Sequence, residues 1–263
     1  MPTPMLAPPA ALLALALAAP VQTAPVALPA AAPSGELSRW DALWPRRDDP
    51  AAALELKGLA GDFQRGDDYA RLWRAARWYF WLADGTKGDD SLKALLGKTG
   101  WDAGKKAKAL KPKGLEGLYW TSVDIGMYSE AVGIFKALTQ GLESRFRDPL
   151  LEVKAADPDH RDADIDYIGP ELTLGRYWYS LPWPKRSLDR SKDELRVATK
   201  VRPENLRAHY FLAQTLAADG DYAGAKAELD AIRAGSVSYD PPEARRVKAL
   251  AQLFATKIAG KLH

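Results

Sequence analysis

The chain has 263 residues, 47% of them hydrophobic and 27% charged, the balance of a folded polypeptide rather than a disordered one. Its 37 basic and 34 acidic residues leave a net charge of +3, too even for a protein whose main partner is nucleic acid. There is no cysteine, which excludes disulfides, thiolate metal sites, cysteine nucleophiles and an N-terminal cysteine to lipidate.

In chain order, the first feature is the apolar run Leu6 to Ala19. It is too short to span a bilayer, which takes about 20 residues, and has the length of a signal-peptide core. Ala16-Leu17-Ala18 is an A-x-A cleavage candidate, with Ala24 a second, although no Lys or Arg precedes the run. The expected organisation is a signal peptide over 1–24, a Pro/Ala-rich linker over 25–37 and one folded domain over 38–263. That places the protein in the periplasm or outside the cell; a plain Ala/Pro tail is the alternative.

One helical spacing then recurs. Tyr69, Leu72, Ala76, Tyr79 follow steps of 3, 4 and 3, as do Tyr128, Ala131, Phe135, Leu138, then Leu188, Ser191, Leu195, Ala198, and finally Tyr222, Ala225, Leu229, Ile232. Such steps put four side chains on one stripe of a helix. Around the first stripe, "RLWRAARWYFWLAD" carries Trp73, Trp78, Tyr79, Phe80 and Trp81 on nearly every side, the mark of a helix buried on several faces. The first three stripes are 59 and 60 residues apart, so "DGTKGDDSLKALLGKTGWDAGKKAKALKPK" and "RFRDPLLEVKAADPDHRDADIDYIGP" read as insertions, each a short helix plus loop. The last two stripes are 34 residues apart at all four positions. In "PPEARRVKALAQLFATKIAGKL", Val247, Leu250, Ala251, Phe254 and Ile258 share one face, as a capping helix at the end of a stack requires. No strand-like alternation of any length occurs.

The 34-residue offset and "RAHYFLAQTLAADGDYAGAKAELDAIRAG" resemble a tetratricopeptide repeat, a helix-turn-helix unit of that period. The expected fold is therefore all-α, an irregular tetratricopeptide-like stack of about four helix pairs with insertions and a C-terminal cap. Gly220 supplies an inter-helix turn that tolerates positive φ, Gly126 takes the same role in the second unit, and Pro182 and Pro184 replace glycine in the third. "GLYWTSVDIGMYSEA" and "YIGPELTLGRYWYSLP" further resemble the central helix-turn-helix and the Tyr-x-Gly-Pro…Leu-Pro segment of the T component associated with TRAP transporters. The resemblance spans about residues 60 to 235. It implies a solute-binding transporter component as partner and a homo-oligomer. The chain departs from that family in having no cysteine to lipidate and in "PWPKRSLD" where a Gly-Asp is usual.

No motif points to catalysis or to a cofactor. "LGKTG" holds Gly97-Lys98-Thr99, the tail of a phosphate loop, but Leu92 stands where its first glycine belongs. Asp162, Asp164 and Asp166 match the first ligands of a calcium loop, but Tyr167 and Thr173 replace its glycine and glutamate, so a solvated acidic loop is the expectation. The lysines of "KKAKALKPK" read as a solvated face. Of three histidines, His209 falls in a repeat helix and reads as structural. The expectation is a non-enzymatic scaffold or adaptor that holds a protein or peptide in a concave groove. Groove positions are Arg207, Tyr210 and Gln214, extended by Arg176 and Tyr177, with Trp183 a surface aromatic outside the core. The alternative is a small-ligand or transporter-accessory protein with an apolar cavity between helices. Neither reading calls for a metal or a catalytic residue.

Overall fold

The computed structural model describes residues 35–261, so the expected signal peptide and most of the linker lie outside the described residues. Residues 35–37, read as the end of the linker, instead begin the first helix. The described residues form twelve α-helices and no strand. They are α1 Gly35–Leu43, α2 Pro50–Phe63, α3 Tyr69–Gly85, α4 Asp90–Leu110, α5 Leu115–Val132, α6 Ile134–Thr139, α7 Leu142–Ala156, α8 Gly169–Ser180, α9 Leu188–Val201, α10 Leu206–Ala218, α11 Tyr222–Ala234 and α12 Pro241–Ile258. A 3-10 turn, Trp44–Arg46, separates α1 from α2.

Short polar side chains fix where most of these helices begin. Asp49, Asp68, Asp89, Ser187, Asn205, Asp221 and Asp240 each accept a backbone N–H from the first turn of the helix that follows. Each such cap is worth about 1 kcal/mol.

Several expected boundaries move. The stripe from Tyr128 to Leu138 is divided between α5 and α6, because the chain breaks at Gly133, where φ is +94°. Only a residue without Cβ takes that conformation cheaply. Gly126 is no turn at all; it lies inside α5, so 117–131 is one helix rather than a helix-turn-helix. The first insertion is no short appendage either. It is the 21-residue α4, packed between α3 and α5. Gly97, Gly100 and Gly104 line its contact with α5. A Cβ on them would sit 2.7 Å from the Tyr128 backbone nitrogen, 2.4 Å from the Asp124 carboxyl and 2.4 Å from Thr121 Oγ1. Gly220 does turn the chain between α10 and α11, with φ +88°.

The C-terminal half keeps the sequence register. α8 packs on α9 and α10 on α11, and the second helix of each pair starts at Leu188 and Tyr222. Two main bodies of apolar packing result. One gathers Trp40, Leu56, Phe63, Trp78 and Trp120 from α1 to α5. The other gathers Leu195, Leu212 and Leu216 from α9 and α10, and is continued by Leu229 and Val247 against α12.

α12 packs on α10 and α11. It also reaches back to the 3-10 turn and to the end of α3. Arg47 pairs with Asp240 at 2.6 Å, Arg245 with Asp48 at 2.7 Å, and Arg246 with Asp84 at 3.0 Å. Arg246 also donates to the Trp81 carbonyl. The last helix therefore meets the first turns largely through charged groups.

Candidate functional site

Between these elements lies a cavity of about 620 Å³, inside the range of small-molecule sites. Its apolar wall comes from Phe80 on α3, Val123 and Met127 on α5, Ile134 and Leu138 on α6, and Phe146 on α7. One face of α3 is turned to it: Arg77, Trp81 and Asp84 follow at steps of 4 and 3. This is the helix whose Trp73, Trp78, Tyr79, Phe80 and Trp81 mark it as buried on several faces.

An alternating ladder of tryptophan and arginine stands along the wall. Arg77 lies over Trp120 at 5.2 Å and over Trp44 at 4.4 Å. Arg47 lies over Trp44 at 4.5 Å and over Trp81 at 4.3 Å, and Arg246 covers Trp81 at 3.2 Å. Each arginine has an acid as well, Asp166, Asp240 and Asp84 in that order. A guanidinium stacked on rings and paired at its edge keeps its charge with little water. The ladder crosses from α5 and α3 through the 3-10 turn to α12, so it ties the two ends of the stack together. Sequence reasoning missed Trp44 and Arg47, since "WPRR" between two helices carries no periodicity.

Asp84 is the hub of this closure. Burial alone would push its carboxyl up. The Arg207 and Arg246 guanidiniums outweigh burial and hold it well below the ordinary carboxylate range. Arg207 bonds both Asp84 oxygens, at 3.0 and 2.8 Å, and donates to Glu243. Opposite, Asp166 and Tyr167 take consecutive left-handed conformations, φ +58° and +59°. Such strain costs on the order of 1–3 kcal/mol per residue and collects at functional walls. Here the Arg77–Asp166 pair and Arg202, 4.0 Å above the Tyr167 ring, hold the corner.

All five groove positions named from sequence, Arg176, Tyr177, Arg207, Tyr210 and Gln214, line this one cavity. Their roles differ. Arg207 is engaged internally. Tyr177 donates to Glu143 at 2.7 Å and packs on Phe146. Gln214 bridges, donating to the Tyr210 hydroxyl at 3.1 Å and accepting from Arg176 at 3.1 Å. Trp183 stands apart, 87% exposed on the loop after α8.

The remaining motifs find structural places. Asp157 accepts the backbone N–H groups of Arg161 and Asp162, and Asp162 accepts that of Asp164, so the acidic loop caps its own turns. Among the described residues no three acids or histidines gather as a metal site. Gly97 to Thr99 lie inside α4. His209 joins Glu228 at 2.5 Å and the Pro203 carbonyl at 3.0 Å. A scan against models of known families finds no match to the chain, and a search of curated proteins finds none either.

Proposed function

We propose that the protein is a non-enzymatic binding protein whose central cavity takes a small, largely apolar solute. The carrying observation is that cavity: about 620 Å³, with an aromatic and aliphatic wall and charged groups that are mostly paired with one another. Neither His160 nor His209 lines it, and its acids are tied to basic partners, which supports binding without chemistry. The 34-residue register of α9 and α11 supports a tetratricopeptide-like stack, with α12 tied back to the turn before α2. The resemblance to the TRAP-associated T component supports handing the solute to a transporter's solute-binding component. The apolar run Leu6 to Ala19 supports export to the envelope.

A thermal-shift screen of apolar solutes tests the reading. A ligand at 100 times its Kd stabilises the fold by about 2.7 kcal/mol. Met127→Trp, which puts an indole into the apolar part of the cavity, is expected to reduce that shift while the fold persists. A shift undiminished in this variant puts the ligand elsewhere.

A second reading, an adaptor for a protein partner, is favoured by two exposed aromatics, Trp183 at 87% and Phe135 at 72%. Trp183→Ala is then expected to abolish capture of a partner from envelope extract. Unchanged capture sinks that assignment.

A further inference from the structure

We infer that the solute carries one carboxylate and that Arg176 holds it; this deepens the solute-binding reading and rests on it. The charges of the cavity wall carry the inference. Its acids are engaged: Asp84 by Arg207 and Arg246, Glu130 by Lys93, Glu143 by Lys185, Asp166 by Arg77, Asp240 by Arg47. Glu243 is bound by Arg207 and Glu204 lies 3.6 Å from Arg202. These pairs occupy the lining cations as well, with two exceptions. Lys87 donates to the Asp84 carbonyl at 2.8 Å and sits in the field of Asp84 and Glu130. Arg176 has, among the described residues, no carboxylate within 4.0 Å; its hydrogen-bond partner is the neutral Gln214 amide oxygen.

Arg176 is nevertheless held in place. The Tyr179 and Phe211 rings lie 5.0 and 5.3 Å from its guanidinium carbon, and Tyr210 orients the Gln214 amide that receives it. A guanidinium offers five N–H donors in a plane, and this one uses a single N–H. The free fork matches a carboxylate in shape and charge. A ligand carboxylate would supply the acid that this cation lacks. One unmatched guanidinium calls for one negative charge. The apolar wall of Phe80, Val123, Met127 and Leu138 calls for a hydrocarbon body.

Titrations of tryptophan fluorescence on the full chain at pH 7.5, with decanoate, decanol, decylamine and decyl sulfate, test this. Wild type is expected to bind decanoate at least tenfold tighter than decanol or decylamine. Arg176→Gln is expected to bring decanoate within twofold of decanol. Should that variant not fold, Arg176→Lys keeps the charge without the fork and is expected to loosen decanoate about tenfold; unchanged decanoate affinity in Arg176→Lys overturns the assignment. Equal binding of decanol and decanoate by wild type overturns the inference and leaves the solute reading standing. A preference that survives Arg176→Gln overturns the role of Arg176, and tighter decyl sulfate overturns the carboxylate. If none of the four binds, both readings fall.

Discussion

Two buried aspartates on neighbouring helices have opposite electrostatic fates. Asp84, between Arg207 and Arg246, is held ionised. Its folded pKa lies below the unfolded value of about 3.9, so its stabilisation is present above about pH 4 and is lost as pH falls further. Asp84→Asn leaves two buried guanidiniums short of an acid and is expected to cost about 3–5 kcal/mol by urea unfolding at pH 7. That loss is expected to shrink below pH 4, where the wild type loses its advantage. Asp124 is the reverse case. Burial pushes its carboxyl well up, and neither oxygen has a hydrogen-bond partner. A raised carboxyl pKa favours the fold at low pH and loses that contribution as pH rises from about 4 toward the folded value. Asp124→Asn cannot ionise. Its melting temperature is expected to exceed that of the wild type at pH 7.5, with the gain vanishing toward pH 4; a pH-independent difference contradicts the neutral carboxyl. At this scale the sequence was half legible. It named Arg176, Tyr177, Arg207, Tyr210 and Gln214 on the first helices of the last two pairs, and all five line the one cavity. It did not reveal that Arg207 is occupied, since its acid Asp84 lies 123 residues away.

Among the elements, the join of α4 and α5 depends on three glycines spaced along one face. Gly100→Ala would drive a methyl into the Asp124 carboxyl and is expected to destabilise by about 1–3 kcal/mol. Gly58, exposed inside α2 with nothing near its missing Cβ, is the control: Gly58→Ala is expected to stabilise by about 0.5–1 kcal/mol. Equal effects in chemical denaturation would deny the close approach. The same glycines explain one misreading. "LGKTGWDAG" lacks bulky residues on its contact face, so α4 shows little apolar periodicity and passes for a loop-rich insertion. The split of α5 and α6 was hidden for a related reason. A four-residue stripe continues across Gly133 in sequence even though the helix axis does not. The stripes of α9 and α11 were legible because nothing interrupts them, and Leu195, Ala198, Leu229 and Ile232 are buried as their spacing requires.

For the whole molecule, closure is the property that sequence periodicity cannot convey. It arises from contacts such as Arg47 to Asp240 and Arg245 to Asp48, each nearly two hundred residues apart in the chain. Arg47→Ala removes one rung from the tryptophan–arginine ladder and leaves Asp240 without its cation. The expected cost is on the order of 2–4 kcal/mol. Hydrogen exchange is expected to accelerate over residues 243–250 of α12 before it does so in α4 or α5. Uniform acceleration would mean that the seam is not a separate unit of opening. The same contacts put Asp240 and Glu243, at the start of α12, on the wall of the cavity, and on that cavity the solute-binding account depends. Native mass spectrometry of the intact protein purified from its own cells tests it most directly. The account predicts a non-covalent mass of small-molecule size that leaves on collisional activation and is reduced in occupancy in Met127→Trp. Bare polypeptide in both proteins would contradict it.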